Sequence, residues 1–323
     1  MARPSLCTLL LAGALAGCAA PGFDLQGHRG ARGLAPENTL AAFDTALSLG
    51  VDTLELDTVV TRDGIVVISH DAALNPNFTR DSTGRFIEAP GTPIRELTLA
   101  ELQRYDVGRL RPGTRYADGQ PEQRAADGER IPTLARLFER VAQRGDTRVR
   151  FNIETKLSPL APALTPEPET FVRALLEVID AHALRARVTL QSFDWRTLRV
   201  AQRLAPDVPT VCLSTQQPSA SNVADPRWTA GLAIAEHGSV PRLVKAAGCA
   251  IWSPAFGDLT AEALQEAHAL RLKVVVWTVN APEAIERMLE LGVDGIISDR
   301  PDRVRTAMAA RRMALPPPAP RVP

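Results

Sequence analysis

Nine short apolar runs, most of them separated by amphipathic segments, leave this chain few folds to choose from. The runs are "LQGH" (25–28), "DTLELDTVV" (52–60), "GIVVISH" (64–70), "RVRFNIETK" (148–156), "RVTLQSF" (187–193), "PTVCLS" (209–214), "CAIWS" (249–253), "KVVVWTV" (273–279) and "DGIIS" (294–298). Helix-like segments such as "NTLAAFDTALSLG", "PETFVRALLEVIDAHAL" and "APEAIERMLELG" lie between many of them. Strand and helix alternating in this way build a parallel sheet with helical crossovers, and the repetition is enough to close an α/β (β/α)8 TIM barrel. Nine runs compete for eight barrel places. The "TRDG" turn at 61–64 is short, so "GIVVISH" can fold back on the preceding strand as a hairpin. A turn centred near Asp63 sets His70 opposite Leu56, beside Glu55 and Asp57.

The barrel is expected over residues 25–305. Residues 71–130, rich in Pro, Gly, Asp and Arg, break the rhythm. A stretch this long inside a domain is rarely a bare loop, and it reads as an insertion over the barrel mouth with one short helix near "LTLAELQRY". The Pro-rich tail, 311–323, is expected to be disordered. Across 323 residues, 37 basic side chains balance 37 acidic ones, so no nucleic acid or other polyanion is implied as a partner.

The N-terminus "MARPSLCTLLLAGALAGC" carries an apolar run from Leu6 to Ala16, too short to span a bilayer and suited to a secretory signal. "LAGC" (Leu15–Cys18) resembles the bacterial lipoprotein lipobox. That resemblance implies a signal peptide over 1–17, lipidation of Cys18, and, with Ala19 following, an outer-membrane anchor facing the periplasm; without lipidation the protein would be periplasmic. Several acyl chains anchor firmly where one does not. Beyond the signal, Cys212 and Cys249 remain. They lie in apolar stretches that read as separate strands, so buried free thiols are the expectation over a disulfide. The chain has no C-x-x-C spacing, which excludes a zinc site built on cysteine.

Alternate strand residues share a face. Glu55 and Asp57 in "LELDT" therefore point the same way, as do Asn152, Glu154 and Lys156 in "FNIETK", while Leu54, Leu56, Phe151 and Ile153 can pack outward. Carboxylates facing into a barrel are costly unless neutralised. Three of them form an oxygen-only cage suited to one divalent cation, Ca²⁺ or Mg²⁺. An internal salt-bridge network with Lys156 and Arg29 is the alternative, and spacing alone leaves both open. His28 and His70 are two of only five histidines, each ending a strand candidate beside a charged residue, Arg29 or Asp71. A histidine pair can serve as base and acid in one displacement. With a cation, Arg29 and Lys156, the set suits an anion at a phosphorus centre.

Together, in order from His28 to Pro301, "HRGARGLAPENT", "ELD", "SHD", "IETK", "QSF", "VWTVN" and "DGIISDRP" resemble the glycerophosphodiester phosphodiesterases. The resemblance implies a phospholipase C-like phosphodiesterase barrel that hydrolyses small-molecule glycerophosphodiesters to glycerol 3-phosphate and an alcohol. It implies attack by the neighbouring glycerol hydroxyl through a cyclic phosphate. His28 and His70 match the family's acid/base pair, Glu55, Asp57 and Glu154 its metal ligands, and Arg29 and Lys156 its phosphate-contacting groups. Glu37 and Asn38 match the "PENT" turn, as metal support or loop support, with Asn38 a candidate helix cap. Gln191, Phe193 and Trp277 match the cleft lining, with barrel core the competing place for the two aromatics. Asp71 is expected to orient His70 or support the metal, and Asp299 to be structural. Gly27 and Gly30 are expected to let backbone approach a phosphate or metal.

Ala19 to Asp24 span roughly 20 Å at full extension, so an anchored Cys18 would hold the barrel bottom-down with its mouth turned away. That favours soluble deacylated diesters over bilayer phospholipids. The rival functions are a lysophospholipase D-like phosphodiesterase and a non-catalytic lipoprotein that binds phosphodiesters; intact histidines speak against the latter.

Overall fold

A computed structural model describes residues 22–218 and 220–320. The lipobox and Cys18 lie outside the described residues. Nine strands form one sheet: β1 (Asp24–Gly27), β2 (Thr53–Val60), β3 (Val66–Ile68), β4 (Arg150–Thr155), β5 (Val188–Ser192), β6 (Thr210–Ser214), β7 (Ile251–Pro254), β8 (Lys273–Val276) and β9 (Gly295–Ser298). All but β3 are parallel, and pairing of β1 with both β2 and β9 closes an eight-stranded barrel. The supernumerary strand is the hairpin: β3 runs antiparallel to β2 with Thr58 opposite Ile68 and Val60 opposite Val66. Ser69 N donates to Asp57 O at 3.0 Å, which continues that register and brings His70 level with Leu56.

Crossover helices start where the sequence supplies caps. Thr39, Thr133, Asp194, Ser239 and Thr260 each accept a backbone N–H of the first turn. The helices Leu40–Leu49, Leu134–Gln143, Pro168–Ala181 and Trp195–Leu204 bury Phe43, Leu137, Phe138, Phe171, Leu175 and Trp195. They join one core with outward residues of the strands, including Leu54, Leu56, Phe151, Ile153 and Leu190. Each such side chain contributes about 1.5–3 kcal/mol by leaving water. Phe151→Ala would remove a ring packed edge-on to Phe138 at 4.8 Å and cost roughly 3–5 kcal/mol.

The opposite parity faces inward and is polar. Asn152 Nδ2 donates to both Gln26 Oε1 and Gln191 Oε1 at 2.9 Å, and Thr189 Oγ1 donates to Asn152 Oδ1 at 2.8 Å. This buried amide layer is tolerable because its members satisfy one another.

Residues 71–130 build a small second core on the hairpin: Val59, Val67, Leu74, Ile94, Leu102, Val107 and Ile131 pack together. The helix near "LTLAELQRY" spans Leu99–Leu102, held by a capping box between Thr98 and Glu101.

Two expectations are corrected. Cys212 and Cys249 form a disulfide, with Cα atoms 5.9 Å apart. Cys212 lies in β6 and Cys249 two residues before β7; these strands are barrel neighbours, with Cys212 paired to Trp252, which brings the thiols within bonding range. The Pro-rich tail is ordered through residue 320. Ala319 N donates to Leu47 O at 2.8 Å, and Arg305 Nη1 donates to Pro316 O at 2.6 Å and Gly50 O at 2.7 Å. Arg148 Nη2 also donates to Pro317 O, at 3.5 Å; prolines need no donor partner, so two arginines and one N–H lay this segment along the first helix.

Candidate active site and metal centre

The two histidines reach the same place from opposite directions. His28 follows β1 and rises through the barrel to its C-terminal rim. His70 follows the antiparallel β3, which descends from above that rim along β2. Between them, one oxygen from each of Glu55, Asp57 and Glu154 lies within 4.8 Å of the others. The β2–β4 register, Glu55 opposite Asn152 and Asp57 opposite Glu154, places these acids on one inward face. They are 2 %, 1 % and 5 % exposed.

Charge compensation decides between a salt-bridge network and a metal. Lys156 Nζ is 2.9 Å from Glu154 Oε1 and 3.6 Å from Asp57 Oδ1, and Arg29 Nε is 3.2 Å from Asp57 Oδ2. Glu55 receives only neutral donors, Gln191 Nε2 at 2.7 Å and the Arg29 backbone N–H at 2.9 Å, with His28 Nε2 at 4.0 Å. Arg29 is moreover shared with Glu37, 2.6 Å from its Nη1. Burial, then the Asp57 and Glu154 charges, push the Glu55 carboxyl well above its ordinary range. Burial pushes Glu154 up to about 7 despite Lys156. Burial also pushes Asp57 upward, but Lys156 and Arg29 outweigh it and hold that carboxyl below the usual range. Two cations thus leave the cluster under-compensated, and an oxygen-only donor set with surplus negative charge fits a hard divalent cation.

Each histidine is oriented through Nδ1, which leaves Nε2 available. His28 Nδ1 donates to Asp299 Oδ1 at 2.5 Å, and His70 Nδ1 to Asp71 Oδ1 at 2.8 Å. Burial is the largest influence on both imidazoles and lowers their pKa. Asp299 opposes it at His28; Lys156 and Arg29 reinforce it at His70. Both rings are therefore biased toward the neutral form that can accept a proton.

Asp71 also accepts from Asn75 Nδ2 at 2.6 Å and stands apart from the three clustered acids. Glu37 holds Arg29 and Arg32 and accepts a hydrogen bond from Tyr116 of the insertion. Asn38 does not cap the first helix; Thr39 does. Asn38 instead takes a left-handed φ of 56° and donates to Asp57 Oδ2 at 2.9 Å. Gly27 and Gly30 serve packing, not ligand approach: a Cβ on Gly27 would lie 2.2 Å from Gly30 O, and one on Gly30 2.6 Å from Ala42 C.

A cleft of about 250 Å³ is lined by His28, Arg29, Glu55, Asp57, His70, Glu154, Lys156, Gln191, Phe193 and Trp277. The two aromatics are half-buried cleft wall rather than core and meet edge-to-face at 5.3 Å. Two residues beyond the expected set belong here. Asp299 follows β9, and the Gly27–Ser298 pairing sets it beside His28; the signal is barrel closure, which must make first and last strands neighbours. Arg32 lines the same cleft, 2.9 Å from Glu37 and stacked on Tyr116. It sits in the same Gly-rich motif as Arg29, where "RGARG" repeats the residue type three positions on.

The barrel and this site define a phosphoryl-transfer type of enzyme: paired imidazoles, carboxylates arranged for a cation, and arginine and lysine for an anion. A model of the glycerophosphoryl diester phosphodiesterase family matches residues 28–303. A glycerophosphodiester phosphodiesterase of Caldanaerobacter subterraneus is 29 % identical over 276 residues, covering 85 % of this chain and 93 % of the relative. One from Bacillus altitudinis is 30 % identical, covering 85 % and 94 %. A solved structure from Silicibacter pomeroyi, named for the same activity, superposes with a TM-score of 0.82 at 35 % identity, covering 92 % and 96 %. An Oleispira antarctica phosphodiesterase solved with the product sn-glycerol-3-phosphate gives 0.65 at 25 % identity, covering 88 % and 96 %. The chain belongs to the glycerophosphoryl diester phosphodiesterase family, and it is a phosphoric diester hydrolase.

Proposed function

We propose that this chain hydrolyses deacylated glycerophosphodiesters to glycerol 3-phosphate and an alcohol, with His28 and His70 as the acid/base pair. The observation that carries the proposal is the placement of two oriented imidazoles on either side of one buried acid cluster. Glu55, Asp57 and Glu154 would hold a single Ca²⁺ or Mg²⁺. Such an ion, when bound, polarises phosphoryl oxygens and offsets the charge that builds on them.

The chain's own groups supply the rest. Lys156, with Arg29 and Arg32 at the same wall, holds the phosphodiester's negative charge. One imidazole takes the proton of the attacking glycerol hydroxyl through Nε2 while the other gives a proton to the leaving alcohol, and water then opens the cyclic phosphate to glycerol 3-phosphate with the two proton roles reversed. Asp299 and Asp71 keep each ring in the tautomer and orientation that the transfer needs. Phe193 and Trp277 close one side of the cleft and limit water. The test is ³¹P NMR of glycerophosphocholine turnover. Glycerol 3-phosphate with free choline supports the reading; phosphocholine with glycerol contradicts it.

A lysophospholipase D-like preference has one observation in its favour. A space of about 390 Å³ opens beside His70 and Lys156, with walls that include Ala72, Ala73, Leu157 and Leu164. A kcat/KM for lysophosphatidylcholine above that for glycerophosphocholine would select this reading.

We further propose export and outer-membrane anchoring through acylated Cys18, as the lipobox resemblance implies. The Cys212–Cys249 disulfide supports an oxidising compartment. Cys18→Ser should move the protein from the membrane to the soluble fraction.

A further inference from the structure

A cavity of about 510 Å³ lies not at the catalytic rim but at the opposite end of the barrel, where the parallel strands begin. Gly22, the first described residue, is part of its wall. So are Arg150, Arg185, Arg187, Arg271 and Lys273, against three acids, Asp24, Asp207 and Asp294. Each acid is already engaged. Asp24 Oδ1 is 2.8 Å from Arg150 Nη2 and accepts from Thr53 Oγ1 at 2.7 Å. Asp207 is 3.1 Å from Arg185, and Asp294 accepts from His268 Nε2 at 2.9 Å and Val274 N at 2.7 Å.

That leaves Arg187, Arg271 and Lys273 with no carboxylate partner among the described residues. Arg187 donates only to the carbonyls of Val149, at 2.6 and 2.9 Å, and of Asp146, at 3.3 Å. Arg271 and Lys273 are exposed. Three unneutralised cations around one concavity give a field that attracts anions.

We infer that this face docks on an anionic phospholipid surface, with lipid phosphates facing Arg187, Arg271 and Lys273. A membrane is favoured over a soluble anion because of where the chain enters. Cys18, the lipidation site that the lipobox resemblance implies, lies four residues upstream of Gly22. A Cys18 held at the bilayer would stand about 14 Å or less from Gly22 at full extension. The Debye length at physiological salt is about 8 Å, and a tether this short lets the cations approach the lipid to within it. The catalytic cleft then opens away from the lipid. The inference concerns orientation and holds whichever diester the cleft prefers.

Residues 22–320 contain the closed barrel and both its ends, so a chain beginning at Gly22 keeps every contact described and lacks Cys18 and the apolar segment. Its co-sedimentation is measured with phosphatidylglycerol-containing vesicles and with pure phosphatidylcholine vesicles. The inference expects binding to the former, weakening with added salt. Arg271→Glu with Lys273→Glu should reduce the partition coefficient more than about tenfold, since each basic side chain near such a surface contributes on the order of fivefold. Turnover of glycerophosphocholine should stay within twofold, which shows the variant folded.

Arg199→Glu with Arg227→Glu, exposed on the catalytic side, is the comparison. Loss of binding in that pair but not in the Arg271/Lys273 pair would overturn the inference. So would equal binding to both vesicles. Sodium phosphate should displace the protein no better than sodium chloride of equal ionic strength; selective displacement by phosphate would mark a small-anion site instead and contradict docking.

Discussion

The two ends of this barrel hold their charges in opposite ways. At the C-terminal end the acids outnumber their partners: Glu55 is buried among neutral donors, while Arg29 is divided between Glu37 and Asp57. At the N-terminal end the acids are matched and the cations are left over, Arg187, Arg271 and Lys273 among them. The deeper end accumulates strain that a ligand can relieve, as catalysis requires. The shallower end shows only a field, which suits attraction without chemistry.

The comparison breaks if removing an acid at the first end is harmless. Glu55→Gln and Glu154→Gln should each lower kcat/KM by about 10³-fold or more, the scale of lost electrostatic stabilisation. Glu55→Gln should not destabilise the protein, because a buried charge without a cationic partner is removed, whereas Glu154→Gln breaks the pair with Lys156 and should melt earlier. A thermal melt beside the kinetic assay reads both. His28→Ala and His70→Ala should each cost about 10²–10⁴ in kcat, the range of general acid–base catalysis. Turnover within a few-fold of the parent would refute the assignment.

Asp299→Asn should cost roughly 10- to 100-fold in kcat with KM little changed, since a charge-assisted hydrogen bond contributes about 1.5–3 kcal/mol. A purely structural role would instead show as a lower melting temperature with normal kcat. Next in size for activity is the disulfide. Its closed segment of 37 residues implies about 3–4 kcal/mol of stability. Cys212→Ser with Cys249→Ser should melt earlier yet retain kcat at 25 °C. The smallest effect on catalysis belongs to Arg271 and Lys273, whose reversal should alter vesicle binding alone.

Much of this was legible in the residues. The period-two pattern of "LELDT" and "FNIETK" states both the outward core and the inward acids, and the short "TRDG" turn offers the hairpin, which the antiparallel pairing of β3 with β2 then assigns. Other features depend on which elements are neighbours. Cys212 and Cys249 read as parts of separate strands, and only the pairing of β6 with β7 brings β6 and the residues leading into β7 together. Asp299 looks like a turn residue until β9 is seen to close on β1. Asn38 and Thr39 are both competent caps, and only the nearby Asp57 carboxylate assigns one to the site and the other to the helix. The Pro-rich tail reads as disordered because the arginines that hold it, Arg305 and Arg148, lie outside it. Local chemistry is written in the chain; pairings across the barrel come from closure.

The central claim is that Glu55, Asp57 and Glu154 form a divalent-cation site on which turnover depends. The direct measurement is titration of Mg²⁺ and Ca²⁺ into chelator-stripped protein, following heat and glycerophosphocholine turnover together. One equivalent of one of these ions should restore activity as it binds, and Glu55→Gln should abolish both signals. Full activity after chelation, or unchanged ion binding in Glu55→Gln, would contradict it.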